Sequence, residues 1–159
     1  MIEDANNMDV MNETLELDEE KTLEMYHKEN CELILLYKEE LERSGLSDKT
    51  ITRHISNIEH YLNRYIVDYC GERFNKGIEY IGEYLGNFFI RKCMWSTPQQ
   101  IGSTATSIKK FYKCMLNNGK ISEDDYEMLC SEISFGLDEW KEDCAIYNDP
   151  TQPMPFDIW

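Results

Sequence analysis

Lys49, Arg53, His60 and Arg64 fall on one side of a helix if residues 48–69 form one. With Ile51 at 0° and about 100° per residue, Ile55, Ile58 and Leu62 lie within about 40° of it, and the four basic residues lie between about 160° and 220°. A stripe of that kind can neutralise phosphate oxygens, and hydroxyl and amide groups near a helix N-terminus add neutral donors. Thr50 and Asn57 supply such groups on the same helix. Fifty residues further on, the equivalent positions hold Gln99, Ser103, Lys110 and Cys114, with Lys109 and Lys113 flanking them. The chemistry available is phosphate recognition on double-stranded DNA. The set that would carry it is Lys49, Thr50, Arg53, Asn57, His60, Arg64, Gln99, Ser103, Lys109, Lys110 and Lys113. The competing reading is the ordinary one, in which the charged outer face of an amphipathic helix is simply hydrated.

Other chemistry finds less support. His27, His54 and His60 form no HExxH spacing, and the six cysteines are spread along the chain without a CxxC pair, so neither a metal site nor a cofactor is expected. The same spacing argues for reduced thiols, several buried as small apolar groups. Carboxylate pairs such as Glu139 with Asp143 sit on polar helix faces, where hydration keeps their acidity ordinary. Tyr61, Tyr65 and Tyr69 follow one another at helical spacing, which fits a core stripe better than a base-stacking platform. With no glycine-rich phosphate loop and no nucleophile elbow, the chain reads as a non-enzyme.

The elements that would carry the basic stripe are written twice. Ser47, Ile51, Ile55, Ile58, Tyr61, Leu62 and Tyr65 match Thr97, Ile101, Ala105, Ile108, Phe111, Tyr112 and Met115 at an offset of 50 residues. Each copy starts with a hydroxyl residue suited to an N-cap, and Pro98 suits a first helical position. Around the two copies, the pattern predicts a helix over about residues 18–43 ended by Gly45, and a third over about 76–93. Gly77, Gly82 and Gly86 lower the propensity of that third helix, so a close neighbour must hold it. Ser122 opens a fifth helix whose stripe includes Leu129, Ile133 and Trp140. Residues 1–17 are acidic and without periodicity, and read as a mobile tail. Residues 148–159 form a tail containing prolines, leaving 18–147 as a single helical domain.

Length and charge bound the function. At 159 residues and 18.9 kDa the chain suits one domain. No apolar run approaches the roughly 18 residues of a spanning helix, and no secretory leader is visible, so a cytoplasmic location is expected. The net charge of −15 is unevenly placed. Residues 1–35 carry 11 acids and 2 bases, residues 36–120 carry 9 acids and 13 bases, and residues 121–159 carry 11 acids and 1 base. A mildly basic middle thus lies between two acidic flanks.

The segment Glu42-Arg-Ser-Gly-Leu-Ser-Asp-Lys-Thr-Ile-Thr-Arg-His-Ile-Ser-Asn-Ile-Glu-His-Tyr-Leu62 resembles the first hairpin of the SAM-like core-binding domain of phage integrases and other tyrosine recombinases. Trp95 to Leu116, followed by Asn117-Asn-Gly-Lys-Ile121, is similar to that domain's last helix. The resemblance covers about residues 22–121 and implies an all-α, SAM-like bundle of four core helices, here with a C-terminal fifth, that clamps DNA. The family's catalytic domain carries Arg, Lys, His-x-x-Arg and a nucleophilic Tyr. The residues after Lys120 contain no Arg or His, so no catalytic residue carries over. The implied function is a non-catalytic DNA-binding module, possible as an accessory to recombination. The alternative is a protein-interaction or self-association module that uses its acidic flanks and the Phe156-Asp-Ile-Trp159 end.

Overall fold

The computed structural model describes the backbone of residues 2–151 and the side chains of residues 7–151. Over the described residues the chain is all-α, with five helices and no strand. Helix α1 spans Ile2–Arg43. Helix α2 covers residues 48–69, α-helical over Asp48–Glu59 and π-helical over His60–Tyr69. Helix α3 covers residues 74–92, with a 3-10 turn at Phe74–Lys76 and a π-helical stretch at Tyr84–Phe88. Helices α4 and α5 span Pro98–Asn117 and Glu123–Asn148. Among the described residues, no helix is long and apolar enough to cross a membrane.

The starts and stops follow from local chemistry. Ser47 accepts from Thr50 N, Thr97 accepts from Gln100 N, and Ser122 with Asp125 forms a reciprocal capping box at α5. Gly45 and Gly71, at φ of 75° and 68°, take the left-handed conformation that stops α1 and α2. One boundary differs from the sequence expectation. Residues 2–17 continue α1 as helix instead of forming a tail, because nothing before Gly45 breaks a helix and neither glycine nor proline occurs there. Over residues 7–17 the lack of periodicity goes with a lack of burial: every side chain from 7 to 22 is exposed. Residues 152–159, which hold most of the proposed C-terminal tail, lie outside the described residues.

The repeated helices lie side by side and run the same way. His54 in the first half of α2 meets Ser107 at the middle of α4; further along both, Tyr61 donates to Gly77 O and Tyr112 to Phe74 O, at the same end of α3. Matching positions are buried together: Ile51 with Ile101, Ile58 with Ile108, Tyr61 with Phe111, Leu62 with Tyr112, and Tyr65 with Met115. Helix α1 packs its second half on both α2 and α4, while α5 runs antiparallel to α4 and also covers α3. The glycines of α3 receive these neighbours. A Cβ on Gly86 would stand 2.8 Å from Trp140 Cδ1, and one on Gly77 would strike the Tyr112 hydroxyl.

Candidate nucleic-acid interface

The eleven predicted DNA-facing residues divide into an exposed group and a withdrawn one. Lys49, Arg53 and Arg64 on α2, and Gln99, Lys109, Lys110 and Lys113 on α4, are exposed. Thr50 is half-buried and accepts a 2.9 Å hydrogen bond from Ser47 Oγ, which holds it at the helix cap. His60, Asn57 and Ser103 do not lie on a free surface.

His60 corrects the helical-wheel expectation most clearly. Its ring is half-buried against Tyr84, Phe88 and Trp95, Nδ1 shares a 2.5 Å hydrogen bond with the Tyr84 hydroxyl, and Nε2 lies 3.8 Å from Cys93 Sγ. Burial, and then the nearby Arg64, lower its pKa below the ordinary imidazole value, so it supplies no cation. The reason is that α2 is covered on two sides beyond residue 60. Tyr61, Leu62, Tyr65, Ile66 and Val67 are all buried, a pattern that leaves no outer stripe over most of that stretch.

Asn57 and Ser103 belong to a polar seam between α2 and α4. Ser107 Oγ donates to Ser103 O at 3.1 Å and accepts from Asn57 Nδ2 at 3.0 Å. With its one proton used, Ser107 accepts the remaining 2.7 Å bond from His54 Nδ1, which assigns that proton to Nδ1. His54 is buried and its pKa is lowered, first by burial and then by the charges of Arg53 and Lys110. Those two cations therefore flank the seam from either helix. Ser103 Oγ is shut away from solvent and has no hydrogen-bond partner among the described residues.

Lys110 also joins the lysines beside it. Lys109, Lys110 and Lys113 line a cleft of about 420 Å³ together with Thr106 of α4, Tyr37, Glu40 and Leu41 of α1, Ser44 just past its end, and Tyr126 of α5. Lys113 Nζ stands 5.1 Å from the Tyr126 ring centroid, a cation–π distance. Among the described residues, no carboxylate lies within ion-pair distance of Lys49, Arg53, Lys109, Lys110 or Lys113. The surface formed by these five residues is positively charged and unneutralised. It runs from the start of α2, across the seam, to the lysines of α4. Cys114, the repeat counterpart of Arg64, is instead buried, and its thiol is pushed up to about 12 by burial and by its hydrogen bond to Glu40.

Comparison with family models, with curated proteins and with solved structures found no match to this chain. The candidate site is therefore argued from its own geometry.

Among the described residues, no group of three or more His, Cys, Asp and Glu side chains gathers as a metal site would require. The six cysteines form no disulfide, and Cys93, Cys114 and Cys144 are buried. Sequence reasoning missed the cleft because Tyr37, Glu40 and Tyr126 lie far from the lysines in sequence and carry no shared motif. It could have found His54. On the same wheel that residue falls about 60° from Ile51, on the core side, where a polar ring needs a partner.

Proposed function

We propose that this chain is a non-catalytic module that binds double-stranded DNA through the outer surface of α2 and α4. We further propose that its bundle is of the SAM-like, integrase core-binding kind. The observation that supports the DNA reading best is the gathering of Lys49, Arg53, Lys109, Lys110 and Lys113 without acidic partners, in a chain whose net charge is −15. Cations with no carboxylate at ion-pair distance are available to phosphates, and these five stand on two neighbouring helices. Because α2 and α4 run parallel, Ser47 and Thr97 bring two helix N-termini to the same end, and both dipoles add to the attraction for a phosphate chain.

Five contacts are a modest number beside the 6–10 of a typical specific binder, and they fix a numerical expectation. The slope of log K against log salt on duplex DNA should be about −4 to −5. Arg53→Gln should bring it about one closer to zero, and Arg53→Glu with Lys110→Glu should abolish binding. Fluorescence anisotropy on random duplex across a salt series measures all three. No binding at low salt, or a slope unmoved by Arg53→Gln, overturns the reading.

The second reading, a protein-interaction module, is favoured by the exposed part of α1. Met8, Met11 and Leu15 lie on it at helical spacing and are all more than half exposed, on a helix rich in acids. A basic or amphipathic partner would suit that surface, and co-purification lost on removing residues 1–20 would identify it.

A further inference from the structure

Tyr61 and Tyr65 are buried, but the third ring of their line is not. Tyr69 sits in the last turn of α2, just before Gly71, and is 64% exposed. Trp95, in the turn joining α3 to α4, is 56% exposed, and its neighbour Met94 is fully so. Phe88 and His60, both half-buried, lie between the two exposed rings. Ring centroids follow one another at 4.8 Å from Tyr69 to Phe88, 6.5 Å from Phe88 to His60 and 5.7 Å from His60 to Trp95. Each gap lies within the range of about 4.5–7 Å for aromatic contact, so the four rings make one continuous strip with an exposed ring at either end. Exposed apolar groups gathered in this way mark a binding surface rather than scattered surface residues.

Cations stand along the strip. Arg64 is exposed, four residues beyond His60 on α2, and its charge acts on that ring. Arg91 and Lys92 are exposed on α3, one turn beyond Phe88. With Tyr65, Tyr69, Asn87 and Phe88 they line a notch of about 120 Å³, which Glu83 also lines. Among the described residues, no carboxylate lies within ion-pair distance of Arg64 or Lys92.

This alternation of flat rings and cations selects a partner. An apolar partner would leave Arg64 and Lys92 unmatched, and an acidic peptide brings charge without a flat face at every residue. A duplex keeps its base faces stacked inside. An unpaired strand offers a flat π-face and a phosphate in each unit, the combination met by aromatic platforms set in a basic surface. We propose that the strip from Tyr69 to Trp95 binds single-stranded DNA, with bases stacked on the exposed rings of Tyr69 and Trp95 and phosphates held by Arg64 and Lys92. The polar groups between the rings are engaged within the protein, His60 by Tyr84 and Cys93 and Asn87 by Arg91, so none is left to single out a 2′-hydroxyl. The choice of DNA over RNA rests on the duplex reading of the neighbouring surface; the strip itself does not.

Fluorescence anisotropy of the full chain with a labelled oligothymidylate of about 12 nucleotides tests the proposal, since single-strand sites commonly span about 4–16. The comparator is an abasic strand of equal length, which keeps the phosphates and removes the faces. Oligothymidylate should bind at least about tenfold more tightly than the abasic strand. Trp95→Ala and Tyr69→Ala should each weaken oligothymidylate by about fivefold or more and leave the abasic strand unchanged, while Tyr69→Phe should retain binding. Arg64→Gln with Lys92→Gln should weaken both strands and bring the slope of log K against log salt about 1.4 closer to zero. Equal affinity for the two strands, no binding at low salt, or indifference to both alanine variants overturns the proposal. So does tighter binding of oligouridylate, or displacement by oligoglutamate as effective as by unlabelled oligothymidylate. A chain that shows base-dependent strand binding and ignores duplex leaves the strip standing and removes only the duplex reading; duplex binding without base-dependent strand binding does the reverse.

Discussion

At the scale of single residues, the two imidazoles of α2 set a pH dependence whose sign can be derived. His54 and His60 both have pKa values lowered from 6.5, chiefly by burial, so the folded chain refuses protons there that the unfolded chain accepts. The unfolded state then binds more protons as pH falls through about 6.5, and stability falls with it until the folded-state values are reached. Above that range both rings are neutral in either state and contribute no slope. Urea midpoints should therefore decline from pH 7.5 to 6.5 to 5.5 by steps that shrink in the double variant His54→Gln, His60→Gln (about one pKa unit below and above the ordinary imidazole value). Equal midpoints across the series in the unaltered chain would show that neither ring is held neutral. The same burial bears on binding. Because His60 is packed against aromatic rings rather than facing solvent, acidification toward pH 6.5 adds no phosphate contact at that position.

At the scale of elements, α3 shows how a neighbour decides what a glycine does. A methyl added at Gly82 meets only Trp140 Cζ2 at 3.7 Å, an ordinary contact, whereas at Gly86 it meets the same indole at 2.8 Å. Gly82→Ala should thus stabilise by up to about 1 kcal/mol through helix propensity. Gly86→Ala gains the same propensity but forces Trp140 aside, an overpacking cost of about 1–3 kcal/mol, and should be neutral to destabilising by about 2 kcal/mol. Thermal unfolding followed by far-UV circular dichroism resolves the pair, at about 2–4 °C per kcal/mol for a chain of this size. The reverse order of stabilities would mean that α5 does not pack on α3 through Trp140. That glycine-rich helix was legible in the sequence as needing a close neighbour, and so were the caps at Ser47, Thr97 and Ser122, because each is written in a few adjacent residues. The paired cores of α2 and α4 were legible because a buried face leaves a period. The first turns of α1 were not, since a helix that buries nothing leaves none. His60 was misplaced for a related reason: a wheel drawn for one helix assigns its far side to water, and only the docking of α3 reveals a second buried side. The cleft was invisible because Glu40 and Lys110 meet through tertiary structure alone.

At the scale of the whole molecule, charge is separated along the chain, and the separation bears on how it could approach a polyanion. The 42 residues of α1 make a rod of about 63 Å. Burial by the bundle begins in earnest only at Asn30. Residues 1–20 carry 8 acids and no Lys or Arg, and since side chains 7–22 are all exposed, removing the first 20 residues takes no described side chain from the core. Stability should change by no more than about 0.5 kcal/mol, as for surface changes generally. DNA affinity should respond differently. A strongly acidic rod repels a duplex over roughly 30 Å at 0.01 M salt but only about 8 Å at 0.15 M. Deletion of residues 1–20 should therefore tighten duplex binding at low salt, with the two proteins converging as salt rises and the folded cores equally stable. Anisotropy on full-length and shortened chains, with unfolding midpoints as the control, measures both quantities. Tighter binding confirms α1 as an electrostatic brake on the basic surface. Weaker binding at unchanged stability would instead make the exposed end of α1 part of the interface, and would require that its side chains reach the duplex despite their charge.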